Sequence, residues 1–185
     1  MADLRIEGYV IVSADGMLAD ATGVMPEALK FEGDLRFFST ALDRVDLIVH
    51  GRASFEDQPN SARRRRVILT RGVGSLARDP GNAKAVLWNP AGAAFEAACA
   101  LAGVSTGTVA IIGGPGVFGM FMDRYDTFWL SEAPRVRLPG GQPVFPGVPE
   151  RSPQAILAAH GLRPGEPQIL DSDHDVSVRP WMRGR

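Results

Sequence analysis

Short runs of aliphatic and β-branched residues recur along this chain, divided by stretches in which apolar residues return every three or four positions. Glu7 to Ser13 is such a run, ended by Asp15-Gly16; Leu47 to Val49, Val67 to Leu69, Ala85 to Trp88, Val109 to Ile112 and Thr127 to Leu130 repeat the pattern. These read as short, buried strands. Between them, Asp34 to Leu42, Gly92 to Ala102 and Gly116 to Met122 carry helical periodicity. Strand and helix alternate, which predicts an α/β domain with a largely parallel sheet. From Pro139 to Pro149 the late glycines and prolines gather around Val144-Phe145, and a short helix is expected at Pro153 to His160. Gln168 to Leu170 and Val176 to Arg179, separated by Asp171-Ser172-Asp173-His174-Asp175, predict a terminal antiparallel hairpin. No internal repeat or low-complexity segment interrupts the series.

The length, 185 residues, suits one domain over 1–185 with a sizeable core. Twenty basic residues stand against 21 acidic ones, so no global field argues for a nucleic-acid or membrane partner. A small molecule is the expected ligand. The lone Cys99, in Ala97-Ala98-Cys99-Ala100-Leu101, reads as a buried structural thiol on a helical face. Met1-Ala2-Asp3-Leu4-Arg5 is charged and lacks the apolar core of a signal peptide, and no run is long enough to span a bilayer. A cytoplasmic location is therefore expected.

The densest chemical signal is Ala110-Ile111-Ile112-Gly113-Gly114-Pro115-Gly116-Val117-Phe118, a strand that breaks into glycines before a helix. Such a turn admits a ligand to the backbone, and it is equally open to being structural punctuation. Gly51-Arg52-Ala53-Ser54-Phe55 follows another strand and, at an expected helix start, offers a phosphate cradle or merely a capped helix with a solvated arginine. Leu69-Thr70-Arg71 ends a third strand with a hydroxyl and a guanidinium. Arg63-Arg64-Arg65-Arg66 enters the strand at Val67, so its side chains alternate in direction. Most are expected in solvent, with at most one or two facing a site. Without aromatic interleaving, the run is a poor nucleic-acid patch. In Glu32-Gly33-Asp34-Leu35-Arg36-Phe37-Phe38, Asp34 and Phe38 share a helical face. A carboxylate beside an aromatic could bind and protonate a flat heterocycle, but spacing alone favours Asp34 as a helix cap with Phe37 and Phe38 in the core. His50, His160 and His174 show no metal-ligand spacing, and no Ser–His–Asp signature is present.

Taken in order, these segments resemble the dihydrofolate reductase superfamily, which also contains the reductase domain of the bifunctional riboflavin-biosynthesis deaminase-reductase. The resemblance covers most of the chain. It rests on Ser13-Ala14-Asp15-Gly16-Met17-Leu18-Ala19-Asp20, Met25-Pro26, Asp34 to Phe38, His50 to Glu56, Arg65 to Arg71, Ile111 to Phe118, Phe128-Trp129-Leu130-Ser131-Glu132 and Val144-Phe145-Pro146. It implies a three-layer fold with a mostly parallel central sheet and a C-terminal antiparallel hairpin. It further implies NADPH as cofactor, held by Ala19, Gly51, Arg52, Ser54, Leu69, Thr70, Arg71 and the turn Gly113, Gly114, Pro115, Gly116, Val117 and Phe118. Thr70 and Arg71 would meet the 2′-phosphate. Val10, Ile11, Asp34 and Phe38 would contact substrate, with Ser131 supporting the Asp34 carboxylate, and Arg64 or Arg65 would hold a substrate glutamate.

The expected activity is hydride transfer from NADPH to a C=N bond of a dihydropterin, either dihydrofolate or a related carrier such as dihydromethanopterin. Asp15 to Met25, with Gly16 and Gly23, is the candidate closing loop. Two features point elsewhere in the superfamily. Glu27 stands where folate enzymes usually carry tryptophan, and Ser13-Ala14-Asp15-Gly16 and Asp57-Gln58-Pro59 are similar to the riboflavin-pathway reductases. A reductase for the aminopyrimidine phosphate, 5-amino-6-(ribosylamino)uracil phosphate, is thus the alternative, and a catalytically silent NADPH-binding protein is a third reading. Asp34 separates the first two. A homodimer is a candidate assembly, because riboflavin-type relatives often pair subunits and Phe128-Trp129-Leu130 suits either core or interface.

Overall fold

Alternation along the first strand sets the layers of the molecule. The computed structural model describes residues 3–184; Met1 and Ala2, part of the charged N-terminus noted above, and Arg185 lie outside them. In β1 (Leu4–Ser13), Leu4, Ile6, Val10 and Val12 join one apolar cluster, whereas Tyr9 and Ile11 join clusters on the opposite face. Both faces are therefore covered, as a mainly parallel sheet requires.

The chain continues through β2 (Met17–Ala19), α1 (Glu32–Arg44), β3 (Leu47–Gly51), β4 (Arg66–Leu69), β5 (Leu76–Arg78) and β6 (Ala85–Trp88). Next come α2 (Phe95–Leu101), β7 (Gly107–Ile111), α3 (Pro115–Met120), β8 (Thr127–Ala133), β9 (Gln142–Pro143) and α4 (Pro153–Ala159). The chain closes with β10 (Leu162–Pro164), β11 (Gln168–Asp171) and β12 (Val176–Arg183). Ten strands form one sheet in the order β10-β12-β8-β1-β7-β3-β4-β6-β5, with β11 on β12, and β2 pairs separately with β9. The centre, β8-β1-β7-β3-β4-β6, is parallel throughout, and the edges are antiparallel. The expected terminal hairpin is β11–β12.

Helix α1 covers most of one face, packing Phe37, Phe38, Ala41 and Leu42 onto Tyr9, Ile48 and Ala110, and Leu29 covers Ile11 beside it. Helices α2, α3 and α4 bring Phe95, Phe118 and Leu157 to the other face, where the larger core lies. Cys99 is buried there, and burial pushes its thiol up to about 12, an inert structural thiol. Phe128 and Leu130 are core residues, whereas Trp129 points to the α1 face. Gly33, in the first turn of α1, has no room for a side chain because an added Cβ would overlap the Leu170 carbonyl oxygen. That close approach seats the start of α1 against β11 and fixes the residue that follows it.

Two sequence expectations need correction. No helix follows β3: the Ser54 N–H donates to the Gly51 carbonyl at 3.1 Å in a turn, and the chain then runs without helix to Pro59. Asn60 takes a left-handed φ of 67°, and only a short 3-10 turn, Ser61–Arg63, comes before β4. The residue before a proline is biased away from helix, and the left-handed residue turns the chain. The helix expected from Gly92 begins at Phe95, because Gly92 is held in a turn by Asn89 and abuts the Gly74 carbonyl. Among the described residues, no helix is long and apolar enough to cross a membrane.

Candidate active site

The C-terminal ends of β1, β3, β7 and β8 lie side by side, and the side chains beyond them enclose a cleft of about 290 Å3. Ligands of open α/β sheets gather at this end of the strands. Register decides what faces the cleft: Ile11 pairs with Ser131 and Tyr9 with Trp129 across β1 and β8. The Tyr9 and Trp129 rings are stacked, with centroids 6.4 Å apart and planes 13° apart, and Phe37 lies 5.7 Å from Trp129. With Phe38 these rings make an aromatic wall on the α1 side. The Trp129 indole N–H is buried without a hydrogen-bond partner.

Asp34 stands in the first turn of α1, lines the cleft and is only 6% exposed. It does not cap the helix: Phe31 holds the cap position and no side chain caps it. The favoured reading from spacing is thereby overturned. Asp34 and Ser131 both line the cleft, and among the described residues the Ser131 hydroxyl is the one polar group that acts on the Asp34 carboxyl there. Desolvation raises its pKa from 3.8 to about 6, and the hydrogen bond from Ser131 opposes that rise. A carboxylate offers about four lone-pair positions. Most of those on Asp34 remain for a ligand.

The turn after β7 forms the opposite wall. Gly113 has φ +116°, its peptide bond to Gly114 is cis, and an added Cβ would sit 3.2 Å from the Phe118 ring. At Gly114 the added atom would lie 3.3 Å from Ser54 Oγ. The Gly51 N–H donates to the Gly113 carbonyl at 2.8 Å, which joins the end of β3 to the turn. Both glycines line the cleft with bare backbone where a side chain would be crowded, and a flat ring or a diphosphate can approach that backbone closely.

Of the residues expected to hold substrate, Val10, Ile11, Asp34 and Phe38 line the cleft. Arg64 and Arg65 do not, and the expectation for them is corrected. Arg64 is buried and pairs with Glu56 at 2.9 Å and Asp43 at 2.7 Å. Arg65 is exposed and donates to the Gly103 carbonyl. Arg66 is fully buried against Glu56 at 2.8 Å, so half of the arginine run is not in solvent as expected. Burial pushes the Glu56 carboxyl up, but hydrogen bonds, led by that from Arg66, overcome this and hold it below its ordinary value. Buried charges demand such pairing.

Of the expected cofactor residues, Ala19, Ser54, Gly113, Gly114 and Phe118 line the cleft. Gly51, Pro115, Gly116 and Val117 stand beside them on the two joined turns. Leu69 pairs with Gly51 at the end of β4, so Thr70 and Arg71 emerge at the same sheet end, outside the cleft wall. Arg52 and Arg71 are exposed. The aromatic pair Tyr9–Trp129 and the rim residue Phe55 were not singled out as site residues from sequence, because strand register and the shape of a loop are not visible in spacing.

No family model matches the chain, and no curated protein matches it in sequence. Solved structures do match. A dihydrofolate reductase from Enterococcus faecalis, complexed with NADP(H) and RAB-propyl, aligns over 98% of this chain and 97% of its own, with TM-score 0.66 and 18% identity. A protein assigned to riboflavin biosynthesis from Shewanella sp. PV-4 aligns over 98% and 99%, with TM-score 0.67 and 18% identity. The chain has the dihydrofolate reductase fold. The same fold is shared with a diaminohydroxyphosphoribosylaminopyrimidine deaminase/5-amino-6-(5-phosphoribosylamino)uracil reductase from Thermotoga maritima, at TM-score 0.66 and 16% identity. There the match covers 98% of this chain, which spans 57% of that longer protein. In this dihydrofolate reductase fold the cleft lies where Asp34, Ser131 and the Gly113-Gly114 turn converge.

Proposed function

We propose that the protein is an NADPH-dependent reductase acting on a C=N bond of a dihydropterin ring. The observation that carries this reading is the Asp34 carboxyl group, buried in an aromatic-walled cleft with a hydroxyl but no cation as its partner. Such a group is matched by a ligand presenting two adjacent N–H donors in a plane, as the amino and ring N–H edge of a pterin does.

The residues present fit the cofactor. Gly113 and Gly114 offer bare backbone beside Ser54, and Gly51 with Val117 supports that turn. Arg52, Thr70 and Arg71 supply a cationic, hydroxyl-bearing rim for phosphates, while Ala19, Leu69, Pro115, Gly116 and Phe118 complete the surround. Bound NADPH supplies the hydride. Asp34 accepts both N–H bonds of the heterocycle and so sets its plane and orientation. Its negative charge raises the basicity of the conjugated ring nitrogen, which takes its proton from solvent. The Ser131 hydroxyl favours the ionised carboxylate by lowering its pKa. Leu18, Phe38 and Phe118 keep bulk water from the reacting bond. On this reading residues 1–185 act as one reductase domain.

A riboflavin-type aminopyrimidine substrate is the second reading, favoured by Asp57 and Gln58 in the cleft wall. The test is NADPH oxidation measured in parallel on a dihydropterin, dihydrofolate, dihydromethanopterin and the aminopyrimidine phosphate. Turnover of a dihydropterin that depends on Asp34 supports the proposal. Turnover of the aminopyrimidine alone overturns it, as does NADPH binding with no turnover on any of them.

A further inference from the structure

The charge in the lining of the cleft is one-sided. Its acidic lining consists of Asp34 on the α1 side and Glu56 and Asp57 on the β3–β4 loop, and none of the described lining residues is Arg, Lys or His. Of the arginines that end this loop, Arg63 and Arg65 line a separate hollow beside Gly103, and the other two are neutralised. Arg64 and Arg66 are matched by Glu56 and Asp43, two cations against two carboxylates, and Arg65 reaches to Gly103. Asp57 is exposed at the rim; Lys30, the cation near enough to feel its charge, is paired with Glu27 at 2.7 Å and lies outside the lining. Beside Asp57, Phe55, 56% exposed, presents an apolar ring held with the Arg66 guanidinium 4.5 Å from its centroid.

We infer that the substrate is a flat, amidine-edged heterocycle with an uncharged substituent, and that the cleft discriminates against the same ring bearing a glutamate, other carboxylate or phosphate tail; this rests on the pterin reading above. An anionic tail leaving the cleft on the β3–β4 side passes Asp57 and finds no cation in the wall. It loses hydration without a paired charge and meets a like charge instead. An uncharged substituent meets the Phe55 ring, where burying apolar surface is favourable. Arg52 does not alter this balance, because in the proposed reading it belongs to the cofactor phosphates.

Two ligands with one ring isolate the tail: 6-methylpterin and pterin-6-carboxylate, titrated into the whole protein in the presence of NADP and followed by quenching of tryptophan fluorescence. The methyl compound is expected to bind about tenfold more tightly at low salt, with the gap narrowing at about 0.5 M salt as the like charges are screened. In Asp57→Lys the gap is expected to close. Equal affinities in the native protein, or tighter binding of the carboxylate, overturn the inference and leave the pterin reading standing. A gap unchanged in Asp57→Lys also overturns it, by removing its stated cause. If neither ring binds the native protein more tightly than Asp34→Asn, the pterin reading itself fails and the inference with it.

Discussion

The hydroxyl of Ser131, on β8, shares the cleft with the carboxyl group of Asp34, in the first turn of α1, near enough to lower its pKa, and so couples two elements far apart in the chain. Asp34 is the more consequential partner. Replacing it by Asn keeps the shape and removes the charge that, in the proposed reading, orients the ring. Asp34→Asn is expected to lower kcat/KM for a dihydropterin by about a hundredfold or more, as for loss of a positioned acid–base group. The dissociation constant for NADPH should stay nearly the same. Steady-state kinetics and cofactor titration check both, and an unchanged kcat/KM would falsify the role given to Asp34.

The same substitution has an expected signature in stability. The folded-state pKa of Asp34, about 6, lies above its ordinary 3.8, so the native protein binds its proton more tightly than the unfolded chain does. The penalty for burying the ionised form is absent below about pH 4, grows through the interval and is complete above about pH 6. A shift of about two units corresponds to about 3 kcal/mol. Urea unfolding should therefore show Asp34→Asn more stable than the native protein at pH 8, with the difference shrinking towards pH 4. A constant difference across that range would contradict the burial argument.

Ligand binding should report the same titration. A pterin edge offers two donors, which only the ionised carboxylate accepts in full. Affinity for 6-methylpterin is expected to rise with pH to a plateau above about 6, the value at which Asp34 titrates. Because the Ser131 hydrogen bond lowers that value, Ser131→Ala should move the midpoint upward, and Asp34→Asn should abolish it. Fluorescence titrations across pH distinguish this from a structural role for Ser131, which would change affinity without moving the midpoint.

Local chemistry made some of this site legible in the sequence, and long-range pairing hid the rest. A β-branched run breaking into Gly113-Gly114-Pro115-Gly116 can hardly be anything but a strand leaving the sheet by a tight turn, and it lies where expected, next to the end of β3. The strands β2, β5, β9 and β10 have three residues or fewer, too short for a period to show. Asp34 looked like a cap because its partner lies on a strand that spacing cannot bring near. The arginine run did alternate, with Arg64 and Arg66 buried and Arg63 and Arg65 exposed. What buries the first pair is Glu56, brought over by a turn at Pro59 and Asn60 that lies beyond Gly51 to Phe55, the segment whose composition suggests a helix start.

Arg71 leaves the end of β4 exposed, at the sheet end shared with Gly51. If it meets the 2′-phosphate, its loss removes one charge-assisted contact made by NADPH and not by NADH. Arg71→Ala should weaken NADPH about five- to tenfold, as for a solvent-exposed charged hydrogen bond, and leave NADH nearly unchanged. Equal losses for both cofactors, measured by fluorescence titration, would place the 2′-phosphate elsewhere.

Glu56 tests whether the arginine network is structural. It is 6% exposed and divides its two oxygens between Arg64 and Arg66, of which the second is wholly buried. Glu56→Gln keeps the volume but leaves Asp43, a half-exposed carboxylate, as the one remaining acidic partner of this pair of guanidiniums. Removing one partner from a buried ion pair costs about 3–5 kcal/mol, and that loss is expected in urea unfolding at pH 7. The sign of the pH dependence follows from its depressed pKa. The stabilisation is present above the unfolded-state value of 4.5 and disappears as pH falls through the lower folded-state value, so native and variant curves should converge only in acid. Because Phe55 rests on the Arg66 guanidinium, the variant should also loosen the rim and raise KM for the dihydropterin more than it lowers kcat. A variant as stable as the native protein at pH 7 would mean that the two arginines find water or other acceptors, and that the rim does not depend on them.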